Sequence, residues 1–259
     1  MNVITVISGL LLPFLGTALG AGCVFFMKRP HSGRIGTALT GFAAGVMTAA
    51  SVWSLLIPAM ERSGDLGPWA FLPAVGGFWL GVGFLLLSDR AMPRLLQKRR
   101  RADGESPWKR TAKLVFAVTL HNLPEGLAVG VVLAGFLKGE PEITGATVIA
   151  LATGIALQNF PEGAVISLPL RAEKCGRFKA FGAGVLSGAV EPLGAAVTLL
   201  AASLITPALP VFLSFAAGAM IWVVTAELIP QWSDAPSTPG PIFFGLGFSV
   251  MMALDVALG

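Results

Sequence analysis

The stretch His121-Asn122-Leu123-Pro124-Glu125-Gly126 interrupts a long apolar run near the middle of the chain. A second copy, Gln158-Asn159-Phe160-Pro161-Glu162-Gly163, interrupts the next apolar run. A charged side chain at bilayer depth is costly and usually faces the protein interior or a water-filled cavity. Two such interruptions, in adjacent segments that would cross a membrane in opposite directions, indicate one site built twice.

The composition places the chain among membrane proteins. Of its 259 residues, 54% are hydrophobic and only 12% are charged, whereas soluble domains carry about 25% charged residues. The two cysteines, Cys23 and Cys175, give no basis for a disulfide framework. We therefore predict a single transmembrane domain over residues 1–259, with membrane lipid as its surroundings.

Eight apolar segments are long enough to cross a bilayer as helices, which needs about 20 residues each. This predicts an all-α, polytopic membrane protein. The first run has no basic residue before it, so we interpret it as a span and not as a signal peptide. The predicted spans are Val3–Met27, Ile35–Met60, Trp69–Leu87, Ala112–Phe136, Ile143–Leu168, Phe181–Leu204, Leu209–Ile229 and Ile242–Leu258.

The basic residues predict the orientation of these spans. With the amino terminus outside the cytosol, 16 of the 18 Lys and Arg residues fall in cytosolic loops, as the positive-inside rule requires. Both termini are then extracytoplasmic. The most basic loop, about residues 88–111, contains the run from Lys98 to Arg101. We interpret it as a juxtamembrane loop rather than a nucleic-acid patch, so no nucleic-acid partner is predicted.

Both motifs place their polar side chains on one helix face. Residues three and four apart are neighbours on a helix, so His121 and Asn122 are expected beside Glu125. The second motif repeats this spacing with Gln158, Asn159 and Glu162.

The prolines of the two motifs predict an irregular backbone at the site. Pro124 and Pro161 lack an N–H and clash with the preceding turn, so the carbonyls of Leu120 and Leu157 are expected to lose their helical partners. Exposed carbonyls beside a carboxylate suit a cation. Irregular backbone inside a membrane is tolerated where it lines a cavity, and broken helices are common at transporter sites.

A third carboxylate, Glu191, lies near the centre of the sixth run. Three carboxylates at similar depth cannot all stay ionised without a partner, so protons, a bound cation or both must neutralise them. Oxygen ligands plus one imidazole suit a divalent metal such as Zn²⁺, Fe²⁺, Mn²⁺ or Cd²⁺. Met47, Glu227 and Asp255 are further candidate ligands, but Met47 also fits as core filler and the two acids can instead reach water.

Two other classes of function stay open at this point. An intramembrane metalloprotease needs H-E-x-x-H, whereas the chain has only His31 and His121, so we predict that it is not an enzyme. The carboxylates are also compatible with a proton-coupled carrier of a small organic solute.

At these residues the chain resembles the ZIP family of divalent-metal transporters, in particular its bacterial, GufA-like branch. The resemblance covers the span layout, both P-E-G motifs, Glu191-Pro192, the stretch from Ala226 to Pro230 and, most weakly, Met251 to Asp255. It implies a 3+2+3 arrangement, in which the fourth and fifth spans hold the metal between two inverted three-helix repeats. It also implies transport of zinc, as substrate and not as cofactor, across a bacterial inner membrane into the cytosol, with a homodimer as a candidate assembly.

The resemblance further implies roles for individual residues. Asn122 and Asn159 would join the shared glutamates in a second metal site next to the main one. Position 159 is Asn where a number of family members carry an acid, so full occupancy of two sites is not expected. The inner loop has no histidine, and a metal-sensing His-rich loop is therefore missing. The main site is implied to contain His121, Glu125, Gln158, Glu162 and Glu191, with Met47 at its edge.

Overall fold

The computed structural model describes residues 2–26, 34–97, 107–172, 175–230 and 239–258. Within these ranges the regular structure is helical and contains no strand. The predicted all-α class is confirmed.

The helices extend beyond several predicted spans. They are α1 (Asn2–Gly22), α2 (Arg34–Ala50), α3 (Ile57–Glu61), α4 (Phe71–Gln97), α5 (Pro107–Lys138), α6 (Gly145–Ala172), α7 (Arg177–Gly188), α8 (Val190–Leu200), α9 (Ala202–Ile205), α10 (Leu209–Val223) and α11 (Pro239–Leu258). α4 and α5 both continue into the predicted basic loop, because the apolar pattern marks only the part of a helix that lies in hydrocarbon. The centre of that loop, residues 98–106, lies outside the described residues.

Seven helical segments of the described chain are long and apolar enough to cross a membrane. They are Val3–Phe25, Arg34–Glu61, Phe71–Ser88, Gly145–Leu168, Arg177–Leu200, Ala202–Leu228 and Pro239–Ala257. α5, which carries the polar residues of the first motif, is not among them. The protein is thus a polytopic membrane protein, and the count of eight spans stays a prediction that depends on α5.

Two spans widen into π-helical turns just before a proline. Ser51–Leu56 connects α2 to α3, and Val224–Leu228 follows α10. The N–H groups of Ile57 and Ile229, directly before each proline, donate to the carbonyl five residues back. A proline cannot donate and crowds the carbonyl four residues earlier, which favours this shifted register. Both π-helical turns end at the leucine of a Leu-Ile-Pro sequence, so the same irregularity occurs in both halves of the chain. An inverted repeat would produce this correspondence, and the repeat itself stays a prediction.

Glycines allow α1 and α6 to approach to backbone contact. Methyl groups at Gly16 or Gly20 of α1 would meet backbone carbonyls of α6, and one at Gly163 of α6 would meet the carbonyl oxygen of Thr17. Small residues permit such close approach between membrane helices. The contact fixes α1 directly beside the second motif, which ends at Gly163.

We expect Gly163→Ala to lower the thermal unfolding temperature of the purified protein, because the new methyl group forces α1 and α6 apart. Overpacking of this kind costs about 1–3 kcal/mol. Gly182→Ala in α7 is the matched control, since a methyl group there meets nothing within 4 Å and alanine favours the helix by roughly 0.5–1 kcal/mol. Equal unfolding temperatures for the two variants would contradict the close packing of α1 on α6.

Candidate metal centre

Both motifs lie within continuous helices. α5 runs through Pro124, and α6 runs through Pro161. The prediction of irregular backbone at these prolines is therefore wrong. A proline removes one ladder hydrogen bond, and the neighbouring bonds of a long membrane helix are sufficient to carry the helix past it.

The sixth span, Arg177–Leu200, has one irregular residue, Ala189, shortly before Glu191 and Pro192, and its backbone stays in the helical region at φ −62° and ψ −19°. α7 ends at Gly188, the N–H of Ala189 donates to the carbonyl of Leu186 three residues back, and α8 begins at Val190. Glu191 thus occupies the first turn of α8. Pro192 has no N–H to donate to the carbonyl of Gly188, which accounts for the local change in hydrogen bonding.

A hydrogen bond between Gln158 and Glu125 joins the two motifs. The side-chain amide of Gln158 donates from Nε2 to Oε1 of Glu125 at 2.5 Å. Both side chains are buried, with exposed fractions of 0% and 1%. The first and second motifs are therefore joined in one polar cluster between α5 and α6; metal binding there stays a prediction.

Glu191 is held by two donors from different helices. The Thr17 hydroxyl on α1 donates to Glu191 Oε1 at 2.9 Å, and Asn122 Nδ2 on α5 donates to the same oxygen at 3.0 Å. Asn122 Nδ2 also donates to the carbonyl of Ser187 at 3.3 Å. Hydrogen bonds at one carboxylate oxygen thus connect α1, α5 and the α7–α8 junction.

Asn159 and Glu162 complete the second motif. The side-chain amide of Asn159 donates to the carbonyl of Pro13 on α1 at 3.5 Å. Glu162 is half-buried and interacts electrostatically with both Glu125 and Glu191, which also interact with each other. The structure therefore brings the three predicted glutamates close enough to repel one another when ionised.

Several acceptor oxygens of this cluster are buried without a hydrogen-bond donor. Each belongs to a side chain whose exposed fraction is at most 1%. An acceptor oxygen is costly to bury without a partner. The cluster therefore favours binding of a cation or of a ligand that can donate hydrogen bonds. Within the described residues these oxygens are Asn122 Oδ1, Glu125 Oε2, Gln158 Oε1, Asn159 Oδ1 and Glu191 Oε2.

The described side chains do not form an assembled metal cage. No group of three His, Cys, Asp or Glu residues among them is arranged to hold a metal ion. His121 lies on α5, but its side chain is outside the described residues. The amides of Gln158 and Asn122 each occupy one oxygen of Glu125 or Glu191, so a metal must use the remaining oxygens or displace these donors.

Three further candidate residues lie on other elements. Met47 on α2 is fully buried in the main hydrophobic core. Asp255 on α11 is buried and accepts a hydrogen bond from the Ser54 hydroxyl at 2.7 Å, so the alternative that this acid reaches water is wrong. Glu227 lies in the π-helical turn Val224–Leu228. A role in metal binding stays a prediction for all three.

The contacts of α1 with the cluster are not predicted from the sequence. Thr17 and the Pro13 carbonyl contact Glu191 and Asn159, yet α1 has no ionisable residue within its apolar run. The sequence feature that could have indicated this contact is a threonine in an apolar span, but the hydroxyl of such a threonine usually donates to a carbonyl of its own helix.

Comparison with known proteins places the chain in a family. The family model described as ZIP Zinc transporter matches residues 100–255. Zinc transporter ZIP11 of Xenopus tropicalis is 36% identical, and the match covers 97% of this chain and 96% of that protein. Zinc transporter GufA of Myxococcus xanthus is 36% identical, covering 94% and 96%. Zinc transporter ZIPB of Bordetella bronchiseptica is 38% identical, covering 95% and 79%. The chain, with its paired P-E-G motifs, belongs to the ZIP zinc transporter family.

Proposed function

We propose that the protein carries a divalent metal ion, with zinc as the first candidate, across a membrane through the cluster on α5, α6 and α8. The observation that carries this proposal is the set of buried, donor-free oxygens around Glu125, Gln158 and Glu191.

The charge balance of the cluster supports a cationic substrate. The hydrogen-bond donors to Glu125 and Glu191 are neutral amides and a hydroxyl. Neutral donors orient a carboxylate, but they do not cancel its charge in a low-dielectric environment. A divalent cation placed among Glu125, Glu162 and Glu191 supplies the opposite charge where it is needed.

The donor set also indicates the kind of cation. Carboxylate and amide oxygens with one imidazole suit zinc and the neighbouring divalent transition metals, and His121 is one helical turn from Glu125 on the same face. No thiol belongs to this set, which disfavours Cu⁺. The related proteins from three organisms cited above are each named as zinc transporters, and none of them is named as a protease or as a carrier of an organic solute.

The orientation of the spans is inferred from the loop charges. The excess of Lys and Arg in alternate loops favours extracytoplasmic termini, whereas a bacterial plasma membrane and delivery of metal to the cytosol are proposed from the resemblance to the family. The homodimer and the surrounding lipid belong to the same proposal.

Zinc is expected to raise the thermal unfolding temperature of the purified, metal-free protein. Ligand at 100 times its dissociation constant stabilises a folded protein by about 2.7 kcal/mol. The measurement is a thermal unfolding series with zinc, cadmium, manganese, iron and magnesium salts, followed by chelator to reverse the effect. Glu191→Gln should reduce the stabilisation, whereas Glu61→Gln, which alters an exposed carboxylate at the end of α3, should not.

Absence of stabilisation by every divalent metal would overturn the proposal. If the metal stabilised wild type and Glu191→Gln to the same extent, we would conclude that it binds outside this cluster.

A further inference from the structure

Among the described residues, most hydroxyl groups in helices that have an identified hydrogen-bond partner donate to a backbone carbonyl of their own helix. A threonine hydroxyl in a helix commonly donates to the carbonyl one turn earlier. Five threonines of the described residues follow this rule: Thr40, Thr48, Thr198, Thr206 and Thr225.

Thr17 donates to a carboxylate on another helix instead. Its hydroxyl has a single proton, and that proton is given to Glu191 Oε1 at 2.9 Å. The carbonyl one turn earlier, at Pro13, accepts from Asn159 of the second motif. The stretch of α1 from Pro13 to Thr17 is thus engaged with the polar cluster at both ends.

The packing around Thr17 fixes the position of its side chain. The backbone of Thr17 lies against Gly163, the residue after Glu162, so closely that a methyl group at Gly163 would overlap it. On the other side, a methyl group at Gly188 would lie 2.8 Å from Thr17 Cβ and 3.0 Å from its Oγ1. Thr17 is therefore wedged between α6 and the end of α7, and its hydroxyl is held next to Glu191.

The two donors to Glu191 also decide which of its oxygens is available. Thr17 and Asn122 both donate to Oε1, and Oε2 has no partner among the described atoms. We propose that Thr17 is a positioning residue of the metal site: it holds Oε1 of Glu191, so that Oε2 is the oxygen presented to the metal. This inference rests on the proposed function, because it assigns an orientation to one of the proposed ligands.

The test is a zinc titration by calorimetry on the purified, full-length, metal-free protein. Thr17→Val keeps the shape of the side chain and removes the hydroxyl, and we expect it to weaken zinc affinity by about tenfold, the lower end of the loss when a group supporting a metal ligand is removed. Thr17→Ser keeps the hydroxyl and should restore nearly wild-type affinity. Thr198→Val is the matched control, because that buried threonine bonds its own helix, and its affinity should equal that of wild type.

Wild-type affinity in Thr17→Val would overturn the inference. A loss that Thr17→Ser does not restore would also overturn it, because packing and not the hydroxyl would then be responsible. If Thr17→Val does not fold, Thr17→Ala removes the same hydroxyl without added bulk and is judged by the same criterion. Failure of the proposed function has a different signature: Glu125→Gln and Glu191→Gln would then bind zinc as wild type does.

Discussion

Glu125→Ala and Glu162→Ala are each expected to abolish zinc uptake while the protein still inserts into the membrane. Each variant removes one of three carboxylates that lie within electrostatic reach of one another. Removal of a group that only supports a metal ligand costs about 10–100-fold in affinity or activity. Loss of a direct ligand in a buried site should therefore cost more than about 100-fold.

The measurement is uptake of labelled zinc by cells or proteoliposomes, compared at equal amounts of inserted protein. Leu157→Ala is a control on the same helix as Glu162, because Leu157 is 40% exposed on the outside of the protein. It should transport zinc at close to the wild-type rate. Near wild-type uptake by both glutamate variants would show that these residues are not part of the transport site.

Asn159→Asp is expected to convert a protein that binds one zinc ion tightly into a protein that binds two. In the wild type, two divalent ions would place four positive charges against the three carboxylates of Glu125, Glu162 and Glu191. An uncompensated charge is expensive in a buried site. Asn159 is fully buried and has an acceptor oxygen without a donor, so an aspartate there adds a fourth negative charge. The Asn159 amide also lies beside Glu125 and Glu191, so the new carboxylate would repel both of them unless a second cation lies between them.

Zinc stoichiometry by calorimetry checks this prediction. Asn122→Asp provides the contrast, because it also removes the 3.0 Å hydrogen bond that holds Oε1 of Glu191 and turns that donor into a like charge. It should weaken zinc binding instead of adding a site. Two equally tight ions in the wild type would refute the charge argument, and an unchanged stoichiometry in Asn159→Asp would place position 159 outside the site.

The pairing of the two motifs could be predicted because it depends on local geometry. Residues at spacings of three and four share a helix face, so Asn122 with Glu125 and Asn159 with Glu162 follow from the sequence alone. Adjacent apolar runs joined by a short loop must also pack as neighbours. The Gln158–Glu125 hydrogen bond agrees with this reasoning.

The position of the irregular backbone was not predictable in the same way. Pro124 and Pro161 marked the expected irregularities, yet α5 and α6 continue through them, while the sixth span is locally irregular at Ala189. A proline removes one hydrogen bond wherever it occurs. Pro192 lies three residues after Ala189 and explains that irregularity by the same rule. The prolines therefore mark where a helix can deviate, and the packing of neighbouring helices decides which of them does.

The sequence by itself determined the membrane class, the helical fold and the identity of the polar residues on α5, α6 and α8, because burying backbone and charge in hydrocarbon leaves few alternatives. Only the tertiary structure decided that α1 contacts the polar cluster. The Thr17–Glu191 hydrogen bond joins residues 174 positions apart, and a threonine in an apolar span carries no pattern that predicts such a partner. The bond exists because glycines on α6 and α7 allow α1 to approach closely enough for its hydroxyl to reach a carboxylate instead of its own helix.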